Sequence, residues 1–115
     1  MFIELTWIDD ENGFPVQRDG VELYVYSEIT ALIEFRYDYE EEDSYGPAFY
    51  TFSDEELCRY DTTINLISDE FGGERNCTLT DEERESLDNY LKDKVMDYFS
   101  NEATTEEIIE NMSPN

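Results

Sequence analysis

The chain has 115 residues, of which 31 are Asp or Glu and 7 are Lys or Arg, and its formal charge at pH 7 is -24. A surface this negative repels the phosphates of nucleic acids and the head groups of anionic lipids, which argues against direct binding to either. Because 39% of the residues are hydrophobic and 15% are aromatic, we expect a folded domain with an acidic surface rather than a disordered chain.

The composition also bears on catalysis and metal binding. The sequence contains no histidine, so the usual general base near neutral pH and the imidazole metal ligands are missing. Carboxylate catalysis needs two acids in a cleft whose environments push their pKa values apart. With 31 acidic residues in the chain, the sequence does not select any such pair. An EF-hand with Gly13 at its sixth position would place Ile8 at the first, where a carboxylate is required. We therefore predict no enzyme, no cofactor and no metal site.

Strand patterns begin at the amino terminus. The segment 2–8 is rich in apolar and β-branched residues, and Asn12 and Gly13 follow it as a strong signal for a tight turn. Asp19 and Gly20 form a second turn signal of the same kind. These two signals predict that the chain reverses direction twice before residue 21.

The next part of the chain predicts further strands. The segments 21–27 and 29–39 alternate apolar and polar residues with a period of two, as strands with one buried face do. Shorter runs at 48–52, 60–68 and 76–79 have similar compositions. A mainly β region is therefore expected to end near residue 79.

Two capping-box signatures predict helix starts. The segment 53–56 (Ser-Asp-Glu-Glu) predicts one or two helical turns, and 80–83 (Thr-Asp-Glu-Glu) predicts the start of a long helix. A second, short helix is predicted over 104–111. The long helix is expected over 81–100, with an inward stripe of apolar residues at helical spacing: Leu87, Tyr90, Leu91, Val95, Tyr98 and Phe99.

Strands followed by helices define an α+β fold class. We predict an antiparallel β-sheet of about four to six strands, with the C-terminal helix packed on one face and a short terminal helix after it. The sequence shows no repeat and no linker, so the prediction is one domain over 1–115, mainly β over 1–79 and helical over 80–112.

The cysteines and the amino terminus bear on the compartment. Cys58 and Cys77 belong to no Cys-x-x-Cys unit, so two reduced thiols are predicted, with a single disulfide as the alternative. The segment 1–11 has neither the basic stretch nor the apolar run of a signal peptide, and no segment reaches membrane-spanning length. These features predict a cytoplasmic protein without a membrane partner.

The acidic residues are concentrated in a few places. On a helix that turns 100° per residue, the outward face of 81–100 carries four acids opposite the apolar stripe. Dense acidic patches also occur at 38–43 and 54–56. The candidate partner-binding residues are Asp38, Glu40, Glu41, Glu42, Asp43, Glu82, Glu85, Asp93 and Asp97.

In size, acidity, aromatic content and lack of catalytic residues, the chain resembles the small DNA-mimic proteins of bacteriophages and mobile elements. That resemblance implies an inhibitor that occupies the DNA-binding groove of a basic host protein. The class of target is a restriction enzyme, a recombination or repair nuclease, a CRISPR effector or a nucleoid protein. It also leaves a homodimer open, since DNA mimics are often dimers, and it assigns no individual residue a role.

Other interpretations of the same sequence stay open. A charged helix face is usually a solvated face, and halophilic adaptation or plain solubility would also explain acidic residues. Against this, solubility needs a net charge of only about 2 to 8, and a larger charge destabilises a compact body through self-repulsion. A carboxylate-based hydrolase would require paired acids in a concave site.

A further alternative is a phage structural, assembly or adaptor protein that binds through an aromatic sheet face. Tyr24 and Tyr26 lie opposite the apolar parity of their strand, and Trp7 lies opposite Ile8, so some of these rings could face solvent. A sheet covered on both faces would bury them instead.

Overall fold

The computed structural model describes residues 1–40, 46 and 49–113. These residues form a four-stranded antiparallel sheet and two helices, which confirms the α+β class. The sheet order is β3-β2-β1-β4. The elements are β1 (Phe2–Arg18), β2 (Val21–Glu40), β3 (Phe49–Asp69), α1 (Asp81–Asp97), α2 (Thr105–Asn111) and β4 (Met112–Ser113).

The sheet has four described strands, the lower end of the predicted four to six. They are longer than predicted, because segments expected as separate strands are continuous. The turn predicted at Asn12-Gly13 is wrong: β1 runs through it, and its register with β2 shifts between Asp9 and Phe14. Gly13 has a φ of +74°, and its N–H donates to the buried Asp9 carboxylate at 3.2 Å. The segment 10–13, which ends with the Asn-Gly pair, therefore forms an enlarged bulge within one strand, four residues opposite Tyr26 alone.

The turn predicted at Asp19-Gly20 is confirmed. Both residues have positive φ values, 50° and 78°, as a two-residue turn between antiparallel strands of this type requires. The turn joins β1 to β2, and Arg18 pairs with Val21 across it. From Leu23 to Tyr37, β2 keeps its period-two alternation of burial.

The helical turns predicted at 53–56 are wrong, because that segment lies within β3. Three register shifts interrupt the pairing of β2 with β3, and one of them lies between Glu34 and Arg36, whose partners are Glu56 and Ser53. Asp54 has a φ of 55°, which fits an inserted bulge residue and not the first turn of a helix.

The strand predicted at 76–79 is also wrong, since this segment is an extended loop. After β3 the chain turns at Gly72, whose N–H donates to the Asp69 carbonyl at 3.0 Å. A single bridge then pairs Ser68 with Glu74. The loop leads directly to the start of α1.

The helix α1 begins at a complete capping box, as predicted. The Thr80 side chain accepts a hydrogen bond from the Glu83 N–H at 3.1 Å, and the Glu83 carboxylate accepts one from the Thr80 N–H at 2.8 Å. The α-helix ends at Asp97, earlier than the predicted residue 100, and continues as a π-helical turn over Tyr98–Glu102. The short helix α2 follows with Thr104 as its N-cap.

The core lies between α1 and one face of the sheet, here called the covered face. Leu87, Leu91 and Val95 of α1 are fully buried there, and so are the odd-numbered residues of β2 from Val25 to Ile33. The even-numbered residues of β2 point to the opposite, open face, where they are half-buried or exposed. In the described part of the chain, the helices therefore cover the sheet on one face.

Beyond Phe35 the β2–β3 pair continues past the helices. We call this part, formed by residues 36–40 of β2 and 50–54 of β3, the distal hairpin. It contributes to the length of the molecule, whose extents are 65 × 25 × 18 Å. No helix within the described residues is long and apolar enough to cross a membrane.

Candidate functional site

The outward face of α1 is a regular acidic surface. The four predicted residues Glu82, Glu85, Asp93 and Asp97 are all exposed, on the side of α1 away from its buried stripe. At a rise of 1.5 Å per residue, this α1 row extends about 22 Å. The structure therefore brings these four predicted residues together on one straight element.

The α1 row is held by a well-fixed helix. Arg84 donates to the Thr62 carbonyl at 2.9 Å, and the Thr62 hydroxyl donates to Asp88 at 2.8 Å. These bonds join the flank of α1 to β3, while Leu87 and Leu91 anchor its buried side. The row carboxylates therefore have a stiff support.

The basic residues are mostly paired with acids outside the α1 row. Arg18 lies 2.5 Å from Glu83, and its hydrogen bond holds the pKa of that carboxyl at about 2, with help from the Thr80 N–H. Two other arginines pair with acids on the flank of α1 and at the end of β3: Arg84 with Asp88 at 3.3 Å, and Arg75 with Asp69 at 3.1 Å. Within the described residues, these pairs leave the four row carboxylates without a salt-bridge partner.

The predicted acidic patch at 38–43 lies only partly within the described residues. Asp38 and Glu40 lie at the end of β2, on the open face of the distal hairpin, and both are exposed. Asp38 forms an ion pair with Arg36 at 3.0 Å. They belong to the side of the sheet opposite the α1 row, so the structure does not bring the two sets together. The predicted residues Glu41, Glu42 and Asp43 lie outside the described residues.

The open face carries a second acidic row that was not singled out from the sequence. Glu22, Glu28 and Glu34 share the even parity of β2 with Asp38 and Glu40, so all five project to this face. The parity was visible in the sequence, whereas the face that the helices leave uncovered was not. At about 3.3 Å per residue, this β2 row extends about 60 Å along the strand.

Apolar side chains are also exposed on the open face. Ile8 is 51% exposed and Leu66 is 38% exposed, and Tyr24 and Tyr26 are half-buried beside them. Trp7 does not belong to this surface, because it projects to the covered face and packs edge-on against Tyr90 at 6.2 Å. Of the three aromatic residues named for the alternative function, Tyr24 and Tyr26 therefore lie on the open face and Trp7 does not.

Cys58 lies beside the β2 row, where its thiol donates to the Glu34 carboxylate at 3.8 Å. Cys58 and Cys77 are both free, the first exposed and the second partly buried. Among the residues that the structure describes, no group of three or more potential ligands is arranged to hold a metal ion.

Comparisons with protein-family models, with curated proteins and with solved structures give no match to this chain.

Proposed function

We propose that this protein is a phage-type DNA-mimic inhibitor, which occupies the DNA-binding groove of a basic host protein. The observation that carries the proposal is the α1 row: four exposed carboxylates that have no salt-bridge partner among the described residues. They lie on a helix whose opposite side is buried in the core. Classes of target that fit are restriction enzymes, recombination or repair nucleases, CRISPR effectors and nucleoid proteins. We propose no catalytic role and no cofactor for the chain.

The density of charge along the molecule supports this function. The net charge of -24 is distributed over a body 65 Å long, about one charge per 2.7 Å of its axis. Duplex DNA carries about one charge per 1.7 Å of its axis. The β2 row extends about 60 Å, which exceeds the 34–36 Å of about one duplex turn. A cationic groove would therefore meet carboxylates over a length comparable to its normal ligand.

The charge also sets how such a complex would form. A strongly negative body is steered toward a cationic groove, and association is fast at low ionic strength. Salt screens this attraction, because the Debye length falls from about 10 Å at 0.1 M to about 3 Å at 1 M. Strong salt dependence is thus the expected signature of binding.

An affinity capture from bacterial lysate tests the proposal. The protein is immobilised, and captured proteins are challenged with a duplex of about 20 base pairs, about 68 Å long at 3.4 Å per step. We expect DNA-binding proteins that the duplex displaces and that about 0.5 M salt releases. Captured proteins that resist both the duplex and the salt would contradict DNA mimicry.

The exposed apolar residues of the open face favour a second candidate function, an assembly or adaptor protein. Ile8 and Leu66 lie beside Tyr26, which gives a partly apolar contact surface. Binding through it would gain strength from apolar burial and would persist at high salt. Retention of a partner at about 0.5 M salt, with loss on Leu66→Ser, would support this function in place of the first.

A further inference from the structure

The distal hairpin carries a ladder of aromatic rings on the covered face of its two strands. Tyr37 stacks on Phe52 with ring centroids 5.7 Å apart and on Tyr50 with centroids 6.0 Å apart. Tyr39 continues the series, with its centroid 4.9 Å from that of Tyr50. We call these four rings the aromatic ladder.

The aromatic ladder extends from the edge of the helix-covered part into solvent. At its inner end, Phe35 contacts Phe52 and, across the interface with the helices, Phe99. At its outer end, Tyr39 is 46% exposed and Tyr50 is 41% exposed. Among the described residues, Tyr37 and Phe52 pack against the core, whereas these two outer rings do not. The inner rings are part of the fold, and the outer rings form a fixed surface.

The charges around the ladder favour a cationic occupant. Asp38 and Glu40 flank Tyr39 in sequence on the reverse side of the same two-stranded ribbon. Arg36 pairs with Asp38 there, and Glu40 has no salt-bridge partner among the described residues. Glu55 lines the same cavity as Phe52 on the ladder side. Carboxylates within about a Debye length of 10 Å add to the negative potential of the ring faces. A second copy of this chain, itself at -24, is opposed by the same charge.

The protein already places cations on tyrosine rings elsewhere. The Lys92 ammonium lies 4.3 Å from the centroid of Tyr60, and that of Lys94 lies 5.6 Å from the centroid of Tyr90. Both tyrosines belong to the helix-covered part of the molecule. The outer rings of the ladder have the same chemistry, without a cation of the described chain over them.

We propose that the outer ladder, Tyr39 and Tyr50, binds arginine side chains of a basic protein partner. A guanidinium is planar and weakly hydrated, so it stacks on an aromatic face more readily than a lysine ammonium does. The inference deepens the proposed function and rests on its basic partner. It adds that the partner is recognised by stacking as well as by charge.

Hexa-arginine and hexa-lysine peptides are the probes for this contact. Titrations at about 0.15 M NaCl measure the Kd, and NMR measures the upfield shift that ring currents impose on arginine side-chain protons. We expect hexa-arginine to bind more tightly than hexa-lysine and to show the shift. Equal affinities with no shift would overturn the proposal.

Two double variants separate stacking from folding. Y39L/Y50L removes both rings but keeps apolar bulk, and should weaken hexa-arginine binding about three- to thirty-fold and abolish the shift. Y39F/Y50F keeps the rings and should retain both the affinity and the shift, with thermal melting checking that each variant is folded. A change below about twofold in Y39L/Y50L would overturn the proposal.

Two further results keep this inference distinct from the proposed function. If lysate capture yields no duplex-displaceable protein while the arginine shift persists, DNA mimicry fails and the ladder contact stands. If sedimentation shows a dimer of the wild type that Y39L/Y50L converts to a monomer, the occupant is a second copy and the ladder proposal fails.

Discussion

The helix-covered part of the sheet and the distal hairpin are built from the same two strands with the same alternation, yet equivalent side chains differ in how deeply they are buried. In the covered part, odd residues of β2 such as Ile29 and Ile33 are fully buried under α1. In the distal hairpin, the odd residue Tyr39 is nearly half exposed. The difference arises from where the helices end, and it separates the region that stabilises the fold from the region that we propose for recognition.

The largest effect expected from this comparison is on folding. Leu91→Ala removes a fully buried side chain from the α1 stripe, and we expect the free energy of unfolding to fall by about 3 kcal/mol. The matched change in the distal hairpin, Tyr50→Ala, should cost less than about 1 kcal/mol because that ring is partly exposed. Urea denaturation of both variants measures the contrast. Equal losses would show that the distal hairpin belongs to the cooperative core.

The next effect concerns the bulge that keeps β1 continuous. A Cβ at Gly13 would lie 2.9 Å from the Cβ of Tyr24, and its φ is +74°. Gly13→Ala should therefore cost about 2 to 3 kcal/mol, from close contact and from the left-handed backbone together. Gly20→Ala has a similar φ and nothing within 4 Å, so it should cost only about 1 kcal/mol. Thermal or urea unfolding that ranks Gly20→Ala as the costlier change would contradict this account of the bulge.

The smallest effect concerns the ion pair at the start of α1. The pKa of Glu83 is about 2, below its ordinary 4.5, mainly because Arg18 donates to it. A carboxyl with a lowered pKa stabilises the folded state above pH 4.5, and that contribution is lost as the pH falls toward 2.

Glu83→Gln isolates this pair, since glutamine preserves the capping box. Wild type should be more stable than the variant by about 0.5 kcal/mol near neutral pH, and the gap should close as the pH falls below about 4.5. Glu82→Gln carries the same charge change without loss of an ion pair and serves as the control. Urea midpoints measured between pH 6 and pH 2 give the gap, and a gap that widens in acid would refute the assignment.

Much of the fold follows from local patterns in the sequence. The capping box at Thr80, the apolar stripe around Leu91 and the alternation of β2 are each specified within a few residues. The sequence analysis did not predict the bulges, because their residues are also typical of turns and of helix starts. Asn-Gly is favoured in turns and Ser-Asp-Glu-Glu at helix starts, and only the pairing of distant strands decides between these and a bulge.

The candidate surfaces were predictable to different degrees. The α1 row follows from helical periodicity alone, and the structure places its four carboxylates on one exposed face. The acidity of the open face depends on which side of the sheet the helices cover, which no local pattern states. The exposure of Tyr39 depends on the length of β2 relative to that of α1, and that relation exists only in the tertiary structure.

We propose that the placement of the carboxylates, and not the total charge, lets the chain substitute for duplex DNA. Two quadruple variants with equal net charge separate these causes. One neutralises the α1 row, with E82Q, E85Q, D93N and D97N. The other neutralises four exposed acids elsewhere, with E70Q, E74Q, E106Q and E110Q.

The decisive measurement is the concentration of each protein that displaces half of a labelled duplex from a partner captured by the wild type. The account predicts that the variant of the α1 row needs at least about tenfold more protein than wild type, while the other variant stays within about twofold. Equal losses in the two variants would contradict it, because net charge alone would then explain the competition.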